Sequence, residues 1–189
     1  MNAPAASTKE KDLMTRLYED LIIDIPDYPE PGVVFKDVTP VFADARAFAG
    51  VIDDLAEHFI GYGVTKVLGA EARGFMVGSA VAYRLGAGFV PARKPGKLPR
   101  KVVSQSYALE YGTDSLEIHA DALEPGDVVL IIDDLVATGG TAVAMAKLAE
   151  SQGAKLAGMG FFLELDFLNP REAIAKDVDV EVFSLVHVK

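Results

Sequence analysis

The chain has 189 residues, which at about 150 residues per domain points to one domain with a buried core. Half of the residues are hydrophobic, 24% are charged and the formal net charge is −10. That balance excludes a disordered chain and argues against a nucleic-acid or anionic-membrane binder, which needs positive surface.

There is no cysteine, which removes disulfides, thiolate nucleophiles and cysteine zinc sites and suits a reducing, cytoplasmic compartment. Residues 1–11 are rich in Ala, Ser, Thr and Lys. They read as a flexible start, with neither an apolar core of signal-peptide length nor, anywhere in the chain, about 18 consecutive apolar residues.

Ser7 or Thr8 can cap a first helix to about Leu21, with Leu13, Leu17 and Leu21 on one face. Pro26, Pro29, Pro31, Gly32 and Pro40 then predict an extended loop over residues 25–40, carrying Val33, Val34 and Phe35 as an apolar tip. From Asp44, the spacing of Phe48, Val51, Ile52, Leu55 and Phe59 predicts a helix, ended by Gly61 and Gly63. Residues 64–70 read as a buried strand, 74–85 as a helix and 89–92 as a short strand.

Residues 93–101 hold five bases, Arg93, Lys94, Lys97, Arg100 and Lys101, inside an acidic protein. With their Pro and Gly content they predict an irregular, mobile segment able to close over an anion and exclude water. Two alternating runs, 106–111 and 115–119, joined around Gly112, Thr113 and Asp114, predict a hairpin. The continuously apolar run Val128 to Ile132 reads as a strand covered on both faces. A glycine loop, a helix over 141–152, a strand over 157–165, a short helix after Pro170 and a strand over 180–188 complete the chain. This order predicts an α/β fold: a mainly parallel sheet flanked by helices, with an inserted β-hairpin and flexible loop. In such a sheet ligands sit beyond the carboxyl ends of the strands, after Ala70, Ala92, Asp133 and Leu165.

The strongest chemical signal follows Ile132: Asp133, Asp134, then Ala137, Thr138, Gly139, Gly140 and Thr141. A hydrophobic strand delivers two carboxylates, a small-residue turn lets amides approach an anion, and a helix N-terminus adds its positive end. That combination suits a sugar 5-phosphate, the amides and threonine hydroxyls holding phosphate and the acids accepting bonds from ribose hydroxyls. Gly61, Tyr62 and Gly63 precede a strand and lack a third glycine, so the dinucleotide fingerprint is absent. Gly69 and Gly74 have P-loop spacing, but Phe75 stands where the lysine belongs. The three histidines, His58, His119 and His187, show no catalytic arrangement.

The acid pair with Ala-Thr-Gly-Gly-Thr resembles the phosphoribosyl diphosphate loop of type I phosphoribosyltransferases. Four further segments, residues 31–37, 69–75, 93–99 and 109–112, resemble the adenine branch of that family, and the likeness spans residues 21–189. The resemblance implies a single phosphoribosyltransferase domain over 1–189 that moves ribose 5-phosphate from phosphoribosyl diphosphate to N9 of adenine, giving AMP and diphosphate. It implies that Glu71, Ala72 and Arg73, with Lys94, hold diphosphate; physically, Arg73 supplies a forked cation beside a glycine that permits close approach. It places Glu110 near the purine, where a carboxyl close to N7 can share or relay a proton as the base loses its N9 proton, so Glu110 and Arg73 are the candidate catalytic residues. Adenine would stack on Phe35, meet backbone groups of Val34 and Lys36, and pack against Leu165. Relatives commonly carry arginine at Lys36, so the contact expected there is through the backbone. Mg²⁺ would arrive with the diphosphate, with no dedicated protein cage. A homodimer is implied by resemblance alone. The alternatives are transfer to another purine, or a phosphoribosyl-diphosphate-sensing regulator, which would want a basic face.

Overall fold

The computed structural model describes residues 8–108 and 113–189 and divides into two units, residues 1–51 and 52–189. In the first unit, α1 (Thr8–Leu21) starts and stops where the leucine spacing places it, while Ser7 lies outside the described residues. The proline-rich stretch is more ordered than its composition predicts. Strands β1 (Ile23–Pro26) and β2 (Val34–Asp37) pair antiparallel, with Ile23 opposite Asp37 and Pro26 opposite Val34. Proline is tolerated because it falls at the outer end of a two-stranded ladder. The intervening turn is closed by the Gly32 amide donating to Asp27 Oδ1 at 2.7 Å. A short α2 (Thr39–Ala43) follows. Helix α3 (Ala45–Phe59) then runs through the boundary at residue 51, and its start is capped by Asp44 Oδ1 accepting from the amides of Arg46 and Ala47 at 3.0 and 2.8 Å.

The second unit is built on a five-stranded parallel sheet, in the order β4 (Gly88–Ala92), β3 (Lys66–Ala70), β7 (Val128–Val136), β8 (Lys155–Leu165), β9 (Val182–Val188). Helices α4 (Arg73–Leu85), α5 (Gly140–Ser151) and α6 (Pro170–Ala175) connect or follow these strands. Strands β5 (Val102–Ala108) and β6 (Thr113–His119) form the inserted antiparallel ladder. The central strand explains the unbroken apolar run. Val129 and Ile131 join the core cluster that includes Met145 and Leu148 of α5, while Ile132 points to the other face, against Gly160. Val129 through Ile132 are fully buried, so alternation has no polar side to display.

The inserted ladder differs from expectation. β5 begins at Val102 and β6 at Thr113, with Ala108 opposite Thr113, so Thr113 and Asp114, expected in the connection, are strand residues, while Gly112 lies outside the described residues. Residues 93–101 form no regular element except a bridge between Arg93 and Glu117. Much of the basic segment is tied to acids: Arg93 to Glu71, Lys94 to Asp114 and Arg100 to Asp121.

Candidate active site

The site is built at the carboxyl end of β7, and the strand runs further than its apolar run predicts. Asp133 pairs with Phe161 of β8, and the ladder continues through Leu135 opposite Leu163 and Val136 opposite Glu164. Asp133 and Asp134 are therefore strand residues, which gives their side chains the fixed directions of a ladder. Residues 137–139 make the turn, and α5 starts at Gly140, one residue ahead of the predicted Thr141. Gly139 sits in the left-handed region at φ +85° and caps α5 without any side-chain bond. Among the described residues, no backbone hydrogen bond is donated by the amides of 137, 138 or 139. A helix N-terminus with unserved amides is a ready anion cradle. A cavity of about 190 Å³ opens here, lined by Asp133, Ala137, Thr138, Gly139, Gly140 and Thr141 among others.

Arg73 opens α4, and its Nε lies 2.8 Å from Asp134 Oδ2. The N–H is not aligned with that oxygen, which stays buried without a hydrogen bond. Asp133 is wedged against the same helix: a Cβ at Gly74 would collide with Asp133 Oδ1. The glycine after Arg73 thus serves the acid on the neighbouring strand, a role the sequence did not disclose. Burial pushes the Asp133 carboxyl well above the usual carboxylate range, and the charge of Asp134 adds to this. Burial also raises Asp134, against the opposing pull of Arg73. Asp134 is buried and Asp133 part-exposed where it lines the cavity, so the pair is an acceptor-rich edge with one cation beside it.

The other expected residues are placed as follows. Glu71 and Ala72 join β3 to α4, and the Glu71 carboxylate accepts from Arg93 Nε at 2.7 Å. Lys94 follows β4, with Nζ 3.1 Å from Asp114 Oδ2. Leu165 ends β8, half-buried, directly after the buried Glu164. Val34, Phe35 and Lys36 belong to β2 of the first unit, where Phe35 meets Tyr28 edge-on at 5.2 Å and Lys36 Nζ bonds both oxygens of Asp24 at 2.6 and 2.7 Å. Glu110 lies outside the described residues.

Sequence reasoning missed a second network. Glu164, 2% exposed, accepts from Arg171 Nε at 2.8 Å, Arg171 Nη2 at 2.9 Å and Ser184 Oγ at 2.6 Å. Arg171 Nη1 also donates to the Val182 carbonyl at 2.8 Å. Its one sequence signal was an acid inside the apolar run of β8. Glu164, Asp166 and His187 lie close enough together to hold a metal among the described residues, but the Arg171 guanidinium already supplies the cation there. His58 stacks on Phe183 at 3.7 Å and pairs with Glu181 at 2.8 Å, a packing role.

Known proteins resemble this chain in sequence and in fold. A family model described as a phosphoribosyl transferase domain matches residues 39–187. The adenine phosphoribosyltransferase of Acidobacterium capsulatum is 53% identical over 169 residues, covering 89% of this chain and 92% of that protein. The crystal structure of adenine phosphoribosyltransferase from Rhodothermus marinus superposes with a TM-score of 0.89 at 44% identity, covering 94% of this chain and 99% of the other. The enzyme from Giardia lamblia complexed with 9-deazaadenine superposes with a TM-score of 0.87 at 35% identity, covering 93% and 98%. Likeness of this extent, in family model, sequence and fold together, shows that the chain belongs to the adenine phosphoribosyltransferase family.

Proposed function

We infer that residues 1–189 act as one phosphoribosyltransferase domain that transfers the 5-phosphoribosyl group from phosphoribosyl diphosphate to N9 of adenine, yielding AMP and diphosphate. The observation that carries the reading is the convergence at the end of β7 of the Asp133–Asp134 pair, Arg73 and the uncapped turn before α5. In this assignment the amides of Ala137, Thr138, Gly139 and Gly140, with the Thr138 and Thr141 hydroxyls, hold the 5-phosphate. Asp133 and Asp134 accept bonds from the ribose hydroxyls. Arg73 and Lys94, with backbone at Glu71 and Ala72, take the diphosphate. By the family likeness, adenine is assigned to Phe35 and to backbone at Val34 and Lys36.

The bond from C1 to the diphosphate oxygen breaks with ribosyl-cation character, as in other glycosyl transfers. The chain need form no covalent intermediate. It aligns adenine with C1, offers Arg73 to the charge gathering on the departing diphosphate, and excludes water. Glu110, assigned to the N7 side of adenine, shares or relays the proton that the base gives up as N9 bonds to C1.

The donor set at Asp133 and Asp134 is all oxygen and suits Mg²⁺, but Arg73 already sits against Asp134. The ion is therefore assigned chiefly to diphosphate oxygens, ribose hydroxyls and water. When bound, it supplies charge neutralisation on the leaving group. We place the protein in the cytoplasm as a homodimer, on the family likeness and, for the compartment, on the lack of cysteine. No helix among the described residues is long and apolar enough to cross a membrane.

The test is to mix the protein with Mg²⁺ and phosphoribosyl diphosphate and offer adenine, hypoxanthine, guanine or xanthine in turn. AMP from adenine, with little product from the others, is expected; no nucleotide from adenine would overturn the reading. Glu110→Gln should lower kcat by about a hundredfold or more while the KM for phosphoribosyl diphosphate holds. Unchanged kcat would remove Glu110 from its role.

A further inference from the structure

The inserted ladder brings to the diphosphate side of the site an acid that the reaction does not require. Asp114 is the second residue of β6 and pairs across the ladder with Tyr107. Its Oδ2 lies 3.1 Å from Lys94 Nζ, and its Oδ1 accepts the Ser115 amide at 2.8 Å. The Tyr107 hydroxyl stands 3.5 Å from Asp114 Oδ2, and Tyr107 lines a cavity together with Thr138, Gly139 and Gly140. These contacts run from Lys94 through Asp114 to Tyr107, and so to the cavity that Thr138 lines. The acid thus lies between the residue assigned to diphosphate and a residue assigned to 5-phosphate.

The two partners of the ion pair differ in freedom. The Asp114 carboxylate is anchored to its own strand by the Ser115 amide, whereas Lys94 carries its charge on a flexible stem that is 58% exposed. The Ser115 amide and Lys94 hold the Asp114 carboxyl below the usual range, and Asp114 in turn raises Lys94, so both are charged at neutral pH. A part-exposed pair of this kind is weak enough to be exchanged. Diphosphate offers the ammonium several negative charges where Asp114 offers one, and a fixed carboxylate left beside it repels it.

Resting on the function inferred above, we propose that Asp114 is a resident counterion for Lys94 that the diphosphate group must displace, so that this acid sets the affinity for phosphoribosyl diphosphate and for product diphosphate. It is a positioning residue acting through Lys94, and its removal strengthens binding.

Asp114→Asn keeps an acceptor for the Ser115 amide and removes only the charge. In the full chain it should lower the KM for phosphoribosyl diphosphate and the inhibition constant of diphosphate by two- to fivefold, leaving the KM for adenine unchanged. Fivefold corresponds to about 1 kcal/mol at 1.4 kcal/mol per tenfold. Asp114→Ser is the second variant and should move both constants the same way. With Lys94→Ala in place, adding Asp114→Asn should change either constant by less than twofold. A KM for phosphoribosyl diphosphate that is unchanged or raised, or an equal gain without Lys94, overturns the proposal. Calorimetry with inorganic diphosphate alone repeats the comparison without turnover. A wild-type protein that binds diphosphate but makes no AMP would therefore sink the assigned reaction while the Asp114 variants still judge this inference.

Discussion

Two carboxylate clusters stand side by side at the carboxyl end of the sheet, because Val136 of β7 pairs with Glu164 of β8. At Glu164 every requirement of a buried charge is met: a two-point guanidinium, a serine hydroxyl and no vacant donor aimed elsewhere. At Asp133 and Asp134 the requirements are met in part, with one oxygen lacking a hydrogen bond, both carboxyls pushed up by burial and a single arginine alongside. A buried polar group left short of partners destabilises the fold, and the place where such a cost is tolerated is the place where a ligand supplies what is missing. Glu164 ties β8 to β9 and α6; the aspartates, in the proposed assignment, are completed by ribose hydroxyls.

The largest effect that would sharpen this contrast comes from the satisfied cluster. Arg171→Ala leaves Glu164 buried without its countercharge and should cost about 3–5 kcal/mol of stability, read as a lowered denaturation midpoint with an unchanged urea slope. A loss below about 1 kcal/mol would put Glu164 in the same class as the aspartates and erase the distinction. Next comes Arg73→Ala, which should lower kcat/KM by about a hundredfold to a thousandfold, the scale seen when one stabilising donor to a developing anion is removed. Its stability should fall far less than that of Arg171→Ala, since Asp134 can take up a proton in compensation. Equal destabilisation by the two substitutions would make Arg73 a structural counterion instead.

The two clusters also differ in how far the sequence disclosed them. The aspartates were legible because chemistry and local order coincide there: an apolar run, two acids, small residues and a helix, all contiguous. The partners of Glu164 are scattered, seven residues on in α6 and twenty on in β9, and nothing local ties an acid in β8 to them. Gly74 presents the same difficulty, since the atom that forbids a side chain there belongs to Asp133 on another strand. The parallel sheet followed from strands that alternate with helices, and its central strand from apolar continuity. Strands β1 and β2 did not, because four-residue partners amid prolines carry no period long enough to read. The continuation of β7 past Ile132 escaped for a related reason: Asp133 and Asp134 break hydrophobicity while the ladder goes on.

The smallest expected effect concerns the price of the unsatisfied acids. Asp133→Asn should raise stability at neutral pH by about 0.5–2 kcal/mol while weakening binding of ribose 5-phosphate, because the amide no longer brings a desolvated charge into the fold. The gain carries a pH signature. In the folded protein the Asp133 carboxyl titrates well above its ordinary value of 3.8. The native state therefore holds this proton more tightly than the unfolded chain does, and the contribution to stability is full below the ordinary value and lost as pH climbs through the raised one. Asparagine has no such proton to lose. The stability advantage of Asp133→Asn should accordingly be small near about pH 4, widen as pH rises, and level off once the native carboxyl is ionised. The lowered carboxyls of Asp114 and Glu181 weaken both proteins equally in acid and cancel in the difference. Paired thermal melts from about pH 4 to about pH 8 check this. A difference that stays flat across the range would mean that Asp133 ionises like an exposed acid, and the contrast with Glu164 would then rest on hydrogen-bond geometry alone.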